Sequence, residues 1–187
     1  MAPPLGIIVN PRSGTDVRRA LAAAVTTTFE EKIGTVRRAV LGAIQTGVDR
    51  VVLNHDPHQL ARRATETMRS KVDVEIIHRA LLFDERDTLR AGASMRELGC
   101  GAVVVLGGDG TNRAAALAWP GLPVVPISTG TNNAFPLHVE PTVAGAAAGL
   151  VATGAVDLHE VARPAKVVTV EIVGDPGERG DHGPTHD

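Results

Sequence analysis

The sequence predicts an α/β fold built on a doubly wound, mostly parallel sheet of about five strands flanked by helices. Several short apolar runs lack polar alternation, which is typical of strands buried on both faces. Amphipathic stretches with helix-capping residues lie between these runs, so strands and helices alternate along the chain. The predicted strands are Leu5–Val9, Arg50–Leu53, Val72–Ile77, Val103–Leu106 and Pro123–Ile127.

Residues that favour helix N-termini precede the predicted helices. The longest helix follows the capping-box pattern of Thr28 and Glu31, and its apolar residues recur at helical spacing from Phe29 to Ile44. The other signals are Asp16 for a short helix through Ala24, Asp56 before Pro57, Asp84 for a helix to about Leu98, and Pro141 for a small-residue helix to Thr153. We expect this last helix to pack closely against the sheet or another chain.

Composition and charge limit the class of protein. The 187 residues suffice for one full domain with part of a second, and aromatic residues make up only 2% of them, so the core must be aliphatic. The net charge of -2 gives no basic field for a nucleic acid partner. The single cysteine, Cys100, excludes an intramolecular disulfide and is expected to pack in the core. Because no signal peptide or transmembrane stretch is found, we expect a cytoplasmic protein without a membrane partner.

The stretch from Gly101 to Asn112, GAVVVLGGDGTN, is the strongest indication of chemistry. A buried strand breaks into glycines, and Thr111 opens an alanine-rich run predicted to be helical over 113–118. Glycines allow close backbone approach, and a helix N-terminus carries partial positive charge, so this turn favours phosphate. Asp109 has two interpretations. It holds a magnesium ion or takes a proton from an attacking hydroxyl, or it caps the helix.

Two further polar loops follow predicted strands. The sequence NPRSG from Asn10 to Gly14 ends the first strand, where proline prevents continuation of the hydrogen-bond ladder. The sequence STGTNNAFP follows the fifth strand, and its hydroxyls and amides can donate to phosphate or accept from a ribose or base. Because the carboxyl ends of parallel strands lie at one edge of a sheet, we expect a ligand cleft between the loops at Asn10, Gly107 and Thr129.

The strand pattern changes near the end of the chain. From Lys166 to Val173 apolar and polar residues alternate, which is typical of a half-exposed, antiparallel strand, and the stretch after it has the composition of a disordered tail. We therefore predict a nucleotide-binding domain over 1–155, the beginning of an incomplete β-rich domain over 156–174, and a disordered tail over 175–187. The exposed start of a β unit favours a homo-oligomer.

Three motifs resemble those of the NAD kinase and diacylglycerol kinase superfamily: NPRSG at Asn10–Gly14, LGGDGTN at Leu106–Asn112 and ISTGTNNAFP at Ile127–Pro136. The combination of VVLGGDGT with STGTNNAFP is most similar to the AcoX branch, the ATP-NAD kinase-like proteins associated with acetoin catabolism operons. The resemblance implies an ATP-dependent kinase with a Rossmann-like N-terminal domain and a β-rich C-terminal domain. Such a kinase transfers a phosphoryl group from ATP to NAD or a related hydroxyl acceptor and requires Mg²⁺.

The same resemblance implies roles for individual residues. Asp109 would be the catalytic base or a magnesium-linked acid, and Asn132 a nucleotide-binding amide with Asn133 beside it. Phosphate contacts are implied for Gly107, Gly108, Gly110 and Thr111. The full set of expected nucleotide-binding residues is Asn10, Ser13, Gly14, Gly107, Gly108, Gly110, Thr111, Asn112, Thr129, Gly130, Thr131, Asn132 and Asn133.

Two alternatives stay open. NAD kinases carry a further Asn-Glu motif and substrate contacts in their C-terminal domain, and this sequence ends before that part, so a truncated kinase or non-catalytic nucleotide-binding module is the first alternative. The NPxSG motif suggests a lipid kinase of the diacylglycerol type as the second. The sequence has no basic or amphipathic membrane-facing segment, which argues against a lipid substrate.

Overall fold

A computed structural model describes residues 2–14, 27–129 and 133–168 of the chain. In this part of the chain five strands form one sheet, and every neighbouring pair runs parallel. The strands are β1 Leu5–Val9, β2 Arg50–Asn54, β3 Asp73–Ile77, β4 Ala102–Gly107 and β5 Val124–Ser128. The prediction of a doubly wound parallel sheet is therefore confirmed.

The order of the strands, β3-β2-β1-β4-β5, places a change of direction between β1 and β4. Strand β1 pairs with both neighbours, so that Leu5 lies opposite Val51 on one side and Ala102 on the other. The chain runs outward from β1 towards one edge of the sheet and later from β4 towards the other. In open parallel sheets a ligand cleft forms at such a switch point, outside the carboxyl ends of the strands.

Helices connect the strands and cover the sheet. In the described residues they are α1 Phe29–Ile44, α2 Leu60–Thr65 followed by a 3-10 turn at Glu66–Met68, α3 Glu85–Glu97, α4 Asp109–Ala118, α5 Pro141–Ala152 and α6 Leu158–Val161. The predicted capping box is confirmed, because the N–H of Glu31 donates to Thr28 Oγ1 at 3.2 Å and the N–H of Thr28 donates to Glu31 Oε2 at 2.7 Å. None of these helices is long and apolar enough to cross a membrane.

Helix α4 begins earlier than predicted. Its first residue is Asp109 rather than Arg113, because Gly108 has an extended backbone and serves as the N-cap. The aspartate and the last glycine of the turn therefore lie inside the first turn of the helix. This shifts the helix N-terminus, with its unpaired backbone N–H groups, into the GGDGT sequence itself.

Helix α2 begins later than predicted. Its first residue is Leu60, because Gln59 adopts a left-handed backbone conformation with φ of 55° and separates the helix from Pro57. The capping role of Asp56 is retained, since its carboxylate accepts from the N–H of Leu60 at 3.0 Å and from that of Ala61 at 3.2 Å.

The division of the C-terminal part of the chain stays a prediction. Between Val156 and Val168 the structure contains helix α6, and Lys166 to Val168 belong to no strand. The rest of the predicted alternating strand and the tail after it lie outside the described residues. The helix expected from Asp16 to Ala24 also lies outside them.

The core is aliphatic, as the composition predicts. Helices α1, α2 and α5 pack on one face of the sheet, against Leu5, Ile7 and Val9 of β1. Helices α3 and α4 pack on the opposite face, where Ile8 and Val52 are buried. Successive residues of β1 thus enter two separate cores, which explains why this strand is a continuous apolar run in the sequence.

Helices α1 and α5 approach each other so closely that only glycine fits at the contact. A Cβ atom on Gly42 would lie 2.0 Å from the carbonyl oxygen of Thr142, and one on Gly145 would lie 1.9 Å from the carbonyl oxygen of Ala39. The small-residue helix predicted near the end of the chain therefore packs closely within its own chain, against α1 and the sheet.

Cys100 is buried, as predicted, and burial raises the pKa of its thiol from 9.0 to about 12. Because the thiolate is the reactive form, we expect the native protein to resist a thiol reagent such as Ellman's reagent at about pH 8, and the denatured protein to react at once. Rapid labelling of the native protein would contradict this.

The raised pKa of Cys100 also predicts how stability depends on pH. The unfolded thiol ionises near 9.0 and the folded thiol near 12, so its contribution to stability is complete below pH 9 and declines as the pH rises from 9 to about 12. Denaturant titrations across this range, compared between the wild type and Cys100→Ala, measure the decline. We expect a smaller decline in the variant.

Candidate functional site

The loops that follow β1, β4 and β5 lie side by side at one edge of the sheet. They begin at Asn10, Gly108 and Thr129, directly after the last residues of three adjacent strands. The N–H of Asn10 donates to the carbonyl oxygen of Leu106 at 3.1 Å, which extends the pairing of β1 with β4 into the loop. The topology thus brings together the three loops that the sequence places at the cleft.

Side-chain hydrogen bonds join the first loop to the other two. Asn10 Nδ2 donates to Thr111 Oγ1 at 2.9 Å, and Thr129 Oγ1 donates to Ser13 Oγ at 2.8 Å. Ser13 Oγ in turn donates to the carbonyl oxygen of Asn10 at 2.8 Å. Four of the residues expected to bind nucleotide therefore form one connected network across the three loops.

The glycines of these loops differ in their surroundings. A Cβ atom on Gly107 would lie 2.5 Å from the side chain of Thr111, and one on Gly108 would lie 2.9 Å from Asn133 Oδ1. By contrast, no other described residue approaches within 4 Å of a Cβ position on Gly110. The packing against Thr111 thus requires a glycine at Gly107, whereas a Cβ on Gly108 would meet only the end of a flexible side chain and no described residue fills the space beside Gly110.

Asp109 directs its carboxylate at the loop after β5. The N–H of Ala134 donates to Asp109 Oδ2 at 2.9 Å, and the N–H of Phe135 donates to Asp109 Oδ1 at 2.9 Å. The alternative that Asp109 caps its helix is therefore wrong, because the N-cap is Gly108 and the carboxylate pairs with another loop. A carboxylate offers about four lone-pair sites, so two N–H donors leave Asp109 able to accept a proton or a cation.

The two asparagines nearest the glycine turn make contacts within the protein. Asn112 Nδ2 donates to the carbonyl oxygen of Gly108 at 3.0 Å, while Asn112 Oδ1 is buried without a hydrogen-bond partner in the described part of the chain. Asn133 Nδ2 donates to Ser128 Oγ at 2.9 Å. Both amides organise the turn, and their expected contacts with a nucleotide stay a prediction.

Gly130, Thr131 and Asn132 lie outside the described residues, so their expected nucleotide contacts stay a prediction from sequence. The loop is held on both sides of this segment. Before it, the carbonyl oxygen of Thr129 accepts from Thr27 Oγ1 at 2.7 Å. After it, the backbone is bound to the Asp109 carboxylate.

Lys32 is a member of the site that sequence reasoning missed. Its side chain is fully buried, and its Nζ donates to the carbonyl oxygens of Pro11 at 2.5 Å, Ser13 at 2.7 Å and Asn10 at 3.3 Å. The sequence does carry a signal for it. Lys32 falls within the apolar stripe of α1, four residues before the buried Val36, where a solvent-exposed lysine would not be expected.

A pocket lies at the carboxyl ends of β2 and β3, and its lining contains Asp87 as well as basic side chains. Its lining includes His55, Arg79 and Arg90, together with the apolar side chains of Ile77 and Leu81. The Nδ1 atom of His55 is buried and has no hydrogen-bond partner among the residues that the structure describes. Because the lining comes from three separate segments, no local pattern in the sequence singles it out.

The order of the sheet, and a glycine turn that enters a helix at the switch point, define a Rossmann-like α/β protein. The family model for the ATP-NAD kinase N-terminal domain matches residues 5–156, and the chain belongs to this family. The resemblance drawn from the three motifs is thereby confirmed.

One relative extends the comparison to the AcoX branch. The chain is 37% identical over 163 residues to Acetoin catabolism protein X of Cupriavidus necator, in an alignment that covers 82% of this chain and 45% of that protein. The chain therefore spans less than half the length of this curated relative. The search of solved structures returned no match.

Proposed function

We propose that this protein is an ATP-dependent phosphotransferase of the NAD kinase type, with NAD or a related hydroxyl compound as acceptor. The observation that carries the proposal is the network joining three loops at the switch point, in which Asn10 binds Thr111, Ser13 binds Thr129, and Asp109 binds the backbone after β5. Membership of the ATP-NAD kinase family supports it. Phosphoryl transfer depends chiefly on positioning and charge neutralisation, which fixed loops at one sheet edge can supply.

In this proposal the glycine turn and the N-terminus of α4 bind phosphate. Gly108, the N-cap, places no side chain over the first backbone N–H groups of a ten-residue helix. Those N–H groups and the positive end of the helix dipole favour an anion. The open space beside Gly110 lets a phosphate approach the backbone.

Asp109 is proposed to act as the general base. The acceptor's hydroxyl oxygen attacks the γ-phosphorus of ATP, the bond from that phosphorus to the ADP oxygen breaks, and the hydroxyl proton passes to the Asp109 carboxylate. The side chain is suited to this role because Asp109 is exposed to solvent at the N-terminus of α4, beside the proposed phosphate site. The N–H groups of Ala134 and Phe135 fix its orientation and leave lone pairs for the proton.

The donor set also fits a magnesium ion. Proteins bind Mg²⁺ through one or two carboxylates together with the phosphate oxygens of the substrate, so Asp109 would supply one carboxylate beside the proposed phosphate site if it served the metal instead of the proton. In that case Asp109→Asn would weaken Mg-ATP binding as well as turnover. When bound, the ion neutralises charge on the transferred phosphate.

A nucleotide-binding module without turnover is the second candidate function. The contacts of Ala134 and Phe135 with the Asp109 carboxylate give this aspartate a structural role that needs no catalysis. The alignment with the curated relative also covers only 45% of that protein, so the relative contains a large part that this chain does not match.

Calorimetric titration with Mg-ATP, and separately with NAD, tests binding, and an assay for NADP tests turnover. We expect Mg-ATP to bind, and Gly108→Val to weaken binding about tenfold or more, because a branched side chain at the N-cap would displace the Asn133 amide and cover the first backbone N–H groups of α4. Gly34→Ala, in α1 with open space around it, is the control and should bind normally. Binding without NADP formation would favour the non-catalytic module, and no binding of either compound would contradict the proposal.

A further inference from the structure

The burial of Lys32 needs an explanation, because an ammonium group loses several kcal/mol of hydration when it is removed from water. Lys32 is 0% exposed, although it lies one turn from the N-terminus of α1, where a lysine could reach solvent. Three backbone carbonyl oxygens, those of Asn10, Pro11 and Ser13, accept hydrogen bonds from its Nζ. All three belong to the NPRSG loop, so the lysine is directed at this loop.

The residues that Lys32 holds are the ones that connect the three loops. Asn10 reaches Thr111 in the first turn of α4 through its side chain, and Ser13 is bonded to Thr129 after β5. A displacement of the NPRSG loop would therefore be transmitted to both of the other loops.

The direction of the carbonyl groups matters for an anionic ligand. Carbonyl oxygens carry partial negative charge, and here three of them turn inward to Lys32. Without the ammonium group the carbonyl oxygen of Asn10 would keep the Ser13 hydroxyl as a donor. The carbonyl oxygens of Pro11 and Ser13 would lose the lysine, and the loop would have to turn them towards water in the cleft, where they repel phosphate.

We propose that Lys32 is a positioning residue that holds the NPRSG loop in the form that accepts a nucleotide polyphosphate, and that its charge contributes to the affinity. The ligand in this inference rests on the proposed function, whereas the control of the loop by Lys32 does not. Lys32 does not touch the reacting atoms. It acts through the backbone of Asn10, Pro11 and Ser13.

The first experiment compares Lys32→Met with the wild type by hydrogen exchange and by calorimetry with Mg-ATP. We expect the amides of Arg12, Ser13 and Gly14 to exchange faster, and the affinity for Mg-ATP to fall about tenfold or more, because charge-assisted hydrogen bonds are lost. Val40→Ala is the control for a destabilised α1, since this core residue lies about two turns beyond Lys32 in the same helix. Arg37→Met is the control for the loss of a positive charge, because it removes an exposed cation from the same helix.

The second experiment restores the charge chemically. In a Lys32→Cys, Cys100→Ala variant the new thiol is alkylated in denaturant with 2-bromoethylamine, which forms a carbon–sulfur bond with loss of bromide and yields an ammonium group in place of the lysine. Iodoacetamide gives a neutral adduct as the matched control. We expect refolded aminoethylated protein to regain slow loop exchange and Mg-ATP affinity, and the neutral adduct not to regain them.

The outcomes separate this inference from the proposed function. If the amides of residues 12–14 exchange as slowly in Lys32→Met as they do in Val40→Ala, the inference is overturned, whatever the protein binds. If the wild type binds no Mg-ATP, the proposed function fails, and the exchange data still decide the role of Lys32 in the loop. If Lys32→Met does not refold, Lys32→Gln replaces it, because an uncharged amide can still donate to the carbonyls. Wild-type Mg-ATP affinity in Lys32→Gln would overturn the role of the charge.

Discussion

Gly145→Ala is expected to lower the free energy of unfolding by about 3 kcal/mol or more. The added Cβ would lie 1.9 Å from the carbonyl oxygen of Ala39, and its next neighbours are also backbone atoms of α1. A side chain can change rotamer to relieve a clash, but the backbone of a packed helix cannot, so α5 must move away from α1. That movement opens the core between these helices and the sheet.

Denaturant titration of the folded chain measures this effect, and Gly34→Ala is a matched control. Gly34 lies in α1, and no other described atom approaches within 4 Å of a Cβ built on it. Alanine should therefore be neutral or stabilise the helix there by about 0.5–1 kcal/mol, the difference in helix propensity. Equal stability changes for the two variants would show that α1 and α5 do not pack as closely as described.

Asp109→Asn is expected to reduce phosphoryl transfer about 100- to 10,000-fold while Mg-ATP affinity is retained. Asparagine has the same shape, so its oxygen can still accept from one of the two N–H groups that bind the aspartate, those of Ala134 and Phe135. It cannot take a proton from an acceptor hydroxyl at neutral pH. We therefore expect a large loss of turnover number with little change in the melting temperature.

NADP formation and Mg-ATP titration, measured on the same preparations, test this expectation. Glu85→Gln is the control, because it removes an exposed carboxylate from the first turn of α3, where Glu85 pairs with Arg113 on the surface. We expect this control to keep wild-type turnover. Unchanged turnover in Asp109→Asn would rule out the proposed base, and a loss of stability without a loss of rate would assign Asp109 to loop structure alone.

Much of the fold follows from local patterns in the chain. Strand β1 was predicted at Leu5–Val9 and lies there, because a residue run buried on both faces is apolar at every position. The capping box at Thr28 was also predictable, since its hydrogen bonds join residues three positions apart. The start of α4 was misplaced because glycines are poor helix formers in isolation, and a helix beginning at Asp109 depends on the packing around it.

The candidate site likewise has features that the sequence predicts and contacts that only the tertiary structure determines. The motifs and the convergence of their loops could be predicted, because parallel strands place their carboxyl ends at one edge and glycines mark close backbone approach. The partners of the key side chains could not, because they are distant in sequence: Asp109 binds a loop 25 residues away, Lys32 a loop 22 residues away, and Thr129 binds Ser13 across 116 residues. Residue type and spacing report what a segment can form alone, whereas these contacts exist only once the sheet order has brought the segments together.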